Sequence, residues 1–188
     1  MTILLRVLSL IAMASFALFG LSSRSSKPTT ISATDGWSAA PYYANGLVFL
    51  VYVPMLALTS RSPSAPGALA LAVGGVLLAA AGAFVGHWAR IALGTAWSHL
   101  PKATEEVGLV TAGPYRLVRH PIYLGIALVA LGTAVTFGSG PATLTAIVAV
   151  IPALVWRAHA EEKLLQAVFG TRYLDYRSHT KMMIPYVL

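Results

Sequence analysis

The sequence predicts an all-α fold, an integral membrane helical bundle with about five transmembrane helices. Of its 188 residues 57% are hydrophobic and only 10% are charged, with a mean hydropathy of +0.73, whereas a soluble domain carries about a quarter charged residues. The apolar residues gather into runs long enough to cross a bilayer. A short turn, Phe137-Gly138-Ser139-Gly140-Pro141, joins the last two runs. It supplies glycine and proline where a reversal needs them, so the fourth and fifth helices should form an antiparallel hairpin.

A spanning helix needs about 20 mostly apolar residues, and the runs at 3–21, 42–59, 67–86, 122–137 and 141–156 meet that need. The first could instead be a cleaved signal peptide, since Arg6 precedes a short apolar stretch followed by small residues. Charge placement argues for a retained span. With five spans, three groups share one side: Arg24 and Lys27; Arg90, Lys102, Arg116 and Arg119; and Arg157, Lys163, Arg172, Arg177 and Lys181. Only Arg6 and Arg61 fall on the other side. By the positive-inside rule the loaded side is cytoplasmic, which places the N-terminus outside and the C-terminus inside. The third span holds Gly74, Gly75, Gly82 and Gly86 among alanines, and small residues let helices approach closely in lipid.

Two segments are not simple spans. Residues 87–121 read as a polar insertion, too long for a tight connector. Residues 157–188 continue the fifth helix and end in an aromatic, basic surface segment. The chain therefore divides into 1–86, three N-terminal helices, and 87–188, the connector, hairpin and tail.

Several function classes lose support. The chain has no cysteine, which removes disulfides, thiolate nucleophiles and cysteine-based metal sites. The net charge of +7 is mostly a topology signal and a rim for anionic lipid rather than a nucleic-acid surface. His87, His99, His120, His159 and His179 never fall at HxxxH or HxxH spacing, so no metal site is expected. No GxSxG, phosphate-binding loop or GxGxxG is present.

The chemistry should lie at Gly113-Pro114-Tyr115-Arg116-Leu117-Val118-Arg119-His120-Pro121-Ile122-Tyr123-Leu124-Gly125, a cationic, aromatic segment directly against an apolar run. Ionisable groups beside a span are costly unless paired, solvated or useful. Pro121 suits the first turn of a helix, which puts His120 at the helix start, where free N–H groups favour an anion. In the tail, Arg157 and Glu161 stand four apart on one helical face. Glu161 and Glu162 point about 100° apart, so one could face a site while the other binds an arginine. The hairpin should bring Arg119 and His120 close to residues 157–162.

With these residues the chain resembles the integral-membrane methyltransferases that include isoprenylcysteine carboxyl methyltransferase and the phospholipid methyltransferases. The resemblance rests on Leu109-Val110-Thr111-Ala112-Gly113-Pro114-Tyr115, on Arg119-His120-Pro121-Ile122-Tyr123-Leu124-Gly125, and on Glu161-Glu162 followed by Phe169-Gly170, Tyr173, Tyr176 and Ile184-Pro185. It implies S-adenosylmethionine as cofactor, bound at the cytoplasmic ends of the last two helices by the connector and tail, with residues 87–188 as the catalytic part. Val110, Gly113 and Tyr115 would line the adenosine and methionine parts. His120 and Tyr123 would hold the cofactor near its carboxylate or ribose, with Pro121 and Leu124 in the same cofactor-binding set. Glu161 or Glu162 would meet the ammonium or a ribose hydroxyl. Arg119 and Arg157 would face the acceptor, with Glu161 in the same catalytic set; an amine or thiol acceptor must shed a proton, which Glu161, His120 or Tyr123 could receive. The implied partner is a lipophilic small molecule or lipid, such as the carboxylate of an isoprenylcysteine-like molecule. The tail departs from the family at Lys181-Met182-Met183, where an arginine is expected before Ile184-Pro185, with Arg177 or Lys181 as substitutes. Two other readings compete: a sterol-reductase-like enzyme using NADPH, which needs a larger bundle and a 2′-phosphate site, and a non-catalytic scaffold, which predicts no cofactor affinity.

Overall fold

The computed structural model describes residues 2–21, 36–60, 67–94 and 108–184. Arg24, Lys27, Arg61, His99, Lys102 and Pro185, which enter the sequence arguments, lie outside the described residues. Six helices are described: α1 (Thr2–Leu21), α2 (Gly36–Leu58), α3 (Ala68–Leu93), α4 (Pro121–Thr136), α5 (Gly140–Phe169) and α6 (Thr171–His179). A 3₁₀ turn, Gly113–Arg116, precedes α4. No strand occurs among the described residues, apart from one isolated parallel bridge between Val118 and Lys181.

α4 is the centre of the bundle. It is apolar all round and buries ten of its 16 residues, from Pro121 to Thr136, as expected for a helix surrounded by others. α3 and α1 cover one side, while α5 covers another with α2 packed on it. Backbones meet directly between α3 and α4. A Cβ on Gly75 would lie 2.7 Å from the Gly132 carbonyl oxygen, and one on Gly82 would lie 2.7 Å from that of Gly125. The glycines repeat seven residues apart on both helices, about two turns, so they line one stripe on each.

Two polar side chains of α2 are bonded across helices inside this packing. The Tyr52 hydroxyl of α2 donates to the Ala130 carbonyl at 2.6 Å, and the Asn45 amide donates to the Ala153 carbonyl at 3.1 Å. At the hairpin turn Gly138 takes φ 62°, and the Ser139 hydroxyl accepts the Ala142 N–H at 3.1 Å as an N-cap. α5 contains a π turn at Ala146–Val150, directly upstream of Pro152, whose ring cannot donate to the preceding turn.

The structure differs from the sequence reading in two places. The polar insertion does not begin at residue 87, because α3 continues to Leu93 and stops only where Gly94 turns with φ 53°. The tail is not simply a surface segment, since α6 buries Tyr173 and the chain beyond it buries Met182 and Met183 against Tyr123, Leu154 and Ala158. Two helices, Ala68–Leu93 and Gly140–Phe169, are long and apolar enough to cross a membrane, and Thr2–Ser15, Tyr43–Leu58 and Pro121–Thr136 are shorter apolar stretches.

Candidate functional site

The end of the hairpin opposite its turn gathers the charges the sequence singled out. His120 ends the connector in a non-helical conformation (φ −124°, ψ 59°), with Pro121 opening α4 behind it. Its imidazole is buried, with Nδ1 3.7 Å from Glu161 Oε2 and Nε2 3.6 Å from Glu162 Oε1. The Nε2 atom has no hydrogen-bond partner in the protein. The ring stacks on Tyr123, one turn along α4, with centroids 5.4 Å apart and planes within 4°.

The two carboxylates take different partners, as their angular separation on α5 requires. Glu161 accepts the Tyr123 hydroxyl and lies 3.7 Å from Arg157 Nε one turn earlier. The Arg157 guanidinium stands 5.2 Å over the Tyr123 ring, a cation–π arrangement. Glu162 accepts Arg119 Nε at 2.6 Å, both side chains being buried, and Arg177 Nε approaches its other oxygen at 3.9 Å. Burial works to raise the Glu162 carboxyl, but His120 and Arg119 beside it prevail and hold it at about 2. It is therefore ionised at any working pH.

Arg119 does more than pair with Glu162. Its Nη1 also donates to the carbonyls of Thr180 and, at 3.4 Å, Arg177, at the C-terminus of α6, where a cation is favoured. Arg116, by contrast, is exposed and does not join Arg119 in the cluster. A cavity of about 320 Å³ opens beside the Arg119–Glu162 pair, bounded by His159, Arg177, Thr180, Lys181 and Met182.

The remaining predicted residues lie along the connector. Gly113 takes φ 61° and sits so close to α3 that a Cβ would meet Ala92 at 3.3 Å and the Trp88 indole nitrogen at 3.4 Å. Val110 follows Leu109, which packs against Phe169 and Tyr173, and Leu124 is half-buried on α4. Tyr115 is buried, and burial followed by the nearby Glu161 charge pushes its hydroxyl upward. His120, Tyr123, Arg119, Arg157, Glu161 and Glu162 thus form one cluster, while Gly113 stands against α3. Sequence reasoning gave no role to Tyr176, Thr180 or Met182, which border this region. The apolar pair Met182-Met183 directly after the polar run from Arg177 to Lys181 was the available signal.

The donor set is mixed: cations, carboxylates and aromatic faces within a few ångströms. Among the described residues, no group of three or more His, Cys, Asp or Glu could hold a metal ion. Fold and cluster define a helical membrane protein with a charge-balanced polar site at one end of its central hairpin. A sequence profile described as phospholipid methyltransferase matches residues 70–172, and the chain belongs to that family.

Its relatives include protein-S-isoprenylcysteine O-methyltransferase A of Arabidopsis thaliana, 35% identical over 120 residues that cover 60% of this chain and 58% of that protein. The protein-S-isoprenylcysteine O-methyltransferase of Schizosaccharomyces pombe is 32% identical over 108 residues, covering 56% and 46%. That of Saccharomyces cerevisiae is 31% identical over 120 residues, covering 60% and 48%. The chain therefore spans about half the length of the curated relatives it matches. A solved eukaryotic intramembrane Ras methyltransferase, isoprenylcysteine carboxyl methyltransferase, superposes with a TM-score of 0.62 over 95% of this chain and 63% of that one. At 21% identity the likeness is one of fold.

Proposed function

We propose that this chain transfers a methyl group from S-adenosylmethionine to a lipophilic acceptor at the cytoplasmic membrane face, the acceptor being the carboxylate of an isoprenylcysteine-like molecule or a related lipid. The observation that carries this reading is the convergence of His120, Tyr123, Arg157, Glu161 and the Arg119–Glu162 pair at one hairpin end, in a chain of this family. The names of the relatives supply the reaction type and the acceptor class.

When bound, S-adenosylmethionine supplies an activated methyl group on a sulfonium, together with a carboxylate, an ammonium, a ribose and a flat adenine. The residues present suit those groups. His120 offers a buried ring nitrogen that makes no protein hydrogen bond and lies 3.6 Å from Glu162, and Tyr123 offers a ring face beside it. Glu161 and Glu162 supply the negative charge an ammonium or ribose hydroxyl requires. Val110, Gly113, Tyr115, Pro121 and Leu124 provide the surrounding walls. Arg119 and Arg157 face the acceptor. Methyl transfer to a carboxylate needs no covalent nucleophile and no base, so positioning supplies most of the rate. For an amine or thiol acceptor, Glu161, His120 or Tyr123 would receive the proton.

We read the chain as five spans with the N-terminus outside and the C-terminus cytoplasmic, so that the cluster lies at the inner boundary and the basic residues meet anionic lipid. The test is calorimetric titration of purified protein in detergent with S-adenosylmethionine, followed by methyl transfer to an S-prenylated cysteine and to an aminophospholipid. Glu161→Ala and His120→Ala are each expected to weaken cofactor binding at least tenfold. Well-folded wild-type protein that binds no S-adenosylmethionine would overturn the reading.

A further inference from the structure

From Leu117 to His120 the chain is neither helix nor strand, and the reason lies in the tail. In a continuing helix the Tyr115 carbonyl would accept the Arg119 N–H. Here that N–H donates to the Lys181 carbonyl at 2.8 Å, and the His120 N–H donates to the Met182 carbonyl at 2.9 Å. The tail has captured the two donors that would have extended the Gly113–Arg116 turn. A buried carbonyl left without a partner is costly. The Tyr115 carbonyl receives the Tyr176 hydroxyl instead, at 2.7 Å.

We propose that Tyr176 is a positioning residue: its hydroxyl latches the Tyr115 carbonyl and so fixes the connector wall of the site. This rests on the proposed methyl-transfer reading for its effect on catalysis, but not for the latch itself. Tyr176 is held for the task from both sides. Its ring packs edge-on against the buried Tyr173, with centroids 6.2 Å apart, and its carbonyl accepts the Thr180 hydroxyl at 2.7 Å. Burial pushes its hydroxyl up to about 12, so it stays protonated and able to donate. Next to Thr180, the Lys181–Met182 backbone holds Arg119 and His120. One α6-and-tail unit therefore grips the connector at Tyr115 and again at residues 119–120, and the intervening segment keeps its non-helical path. The Tyr176 hydroxyl donates to the Tyr115 carbonyl rather than to a carboxylate of the cluster, so it acts through Tyr115.

The experiment compares wild type with Tyr176→Phe, which keeps the ring and removes the hydroxyl. Hydrogen–deuterium exchange of the peptide covering residues 113–120 should accelerate about threefold to tenfold, the worth of one hydrogen bond, with exchange in α4 unchanged. The KM for S-adenosylmethionine should rise by a similar factor, while the acceptor KM stays the same. Unchanged exchange, or acceleration spread equally through α4, would overturn the latch. Wild-type protein without S-adenosylmethionine affinity would instead sink the methyltransferase reading, and the exchange result would still decide the latch.

Discussion

Along its middle, α4 lies against α3 backbone to backbone, with Gly125 and Gly132 facing Gly82 and Gly75. At its N-terminal end, the same helix is held by charged side chains from α5, which meet His120 and Tyr123, and by the tail. In lipid there is no hydrophobic drive between apolar helices, so close packing of small residues must hold them together. That leaves little tolerance for added volume. At the boundary the contacts are made by long side chains that can adjust, and the energy lies in charge pairing. The glycine stripe therefore fixes where α4 stands, and the cluster uses that rigidity to hold His120 and Tyr123 in register with Glu161.

The sharpest break of this contrast is Gly132→Ala. Its Cβ would lie 2.5 Å from both the Ala79 nitrogen and the Gly75 carbonyl oxygen, and neither atom can move without shifting α3. The loss should exceed about 3 kcal/mol, beyond ordinary overpacking, where side chains can yield. Gly74→Ala is the control one residue from Gly75: nothing lies within 4 Å of its Cβ, so it should be neutral or up to about 1 kcal/mol more stable through helix propensity. Thermal unfolding in one detergent separates the two. Equal effects would mean that the stripe is not the constraint.

Glu162→Gln probes the other region. It keeps an acceptor for Arg119 but removes the charge, and at neutral pH should cost about 2 to 3 kcal/mol for a buried charged hydrogen bond. The pH dependence follows from the sign of the shift. The folded Glu162 carboxyl sits at about 2, below the ordinary 4.5, so its contribution is fully present above about 4.5 and is lost as pH falls towards 2. The stability gap between wild type and Glu162→Gln should close over that window. A gap that stays constant down to pH 2 would show that the charge does not carry the effect.

The uneven legibility of these regions in the sequence has a physical cause. The hairpin and the meeting of Arg119-His120 with Arg157 to Glu162 followed from two apolar runs and one Gly/Pro turn, because connectivity alone forces those ends together. Gly74, Gly75, Gly82 and Gly86 were visible as small residues, but only the structure separates Gly75, which meets backbone, from Gly74, which meets nothing. The tail was the least readable part. Its hold on residues 119 and 120 is made by main-chain carbonyls of Lys181 and Met182, which leave no side-chain signature. The Tyr176 hydroxyl likewise bonds a carbonyl freed only by that tertiary contact. α3 was read too short because His87 and Arg90 look like connector residues, yet no helix breaker appears before Gly94.

The smallest expected effect comes from the neutral end of the hairpin and supplies the counterpart to Glu162. Ser139 is buried at the turn, where its hydroxyl caps α5 through the Ala142 N–H and lies 2.5 Å from the Thr59 hydroxyl. Thr59 also donates to the Met55 carbonyl at 2.6 Å, so Ser139→Ala leaves Thr59 partnered and removes little beyond the cap. The cost should be about 1 kcal/mol, the usual worth of an N-cap serine. Because the Ser139 cap and its Thr59 contact involve no ionisable group, the same loss should be measured at pH 3 and at pH 7, whereas the Glu162→Gln loss shrinks over that interval. If both variants shift together with pH, the titrating group lies elsewhere in the bundle, and the division of α4 into a charge-held end and a neutral, packing-held remainder fails.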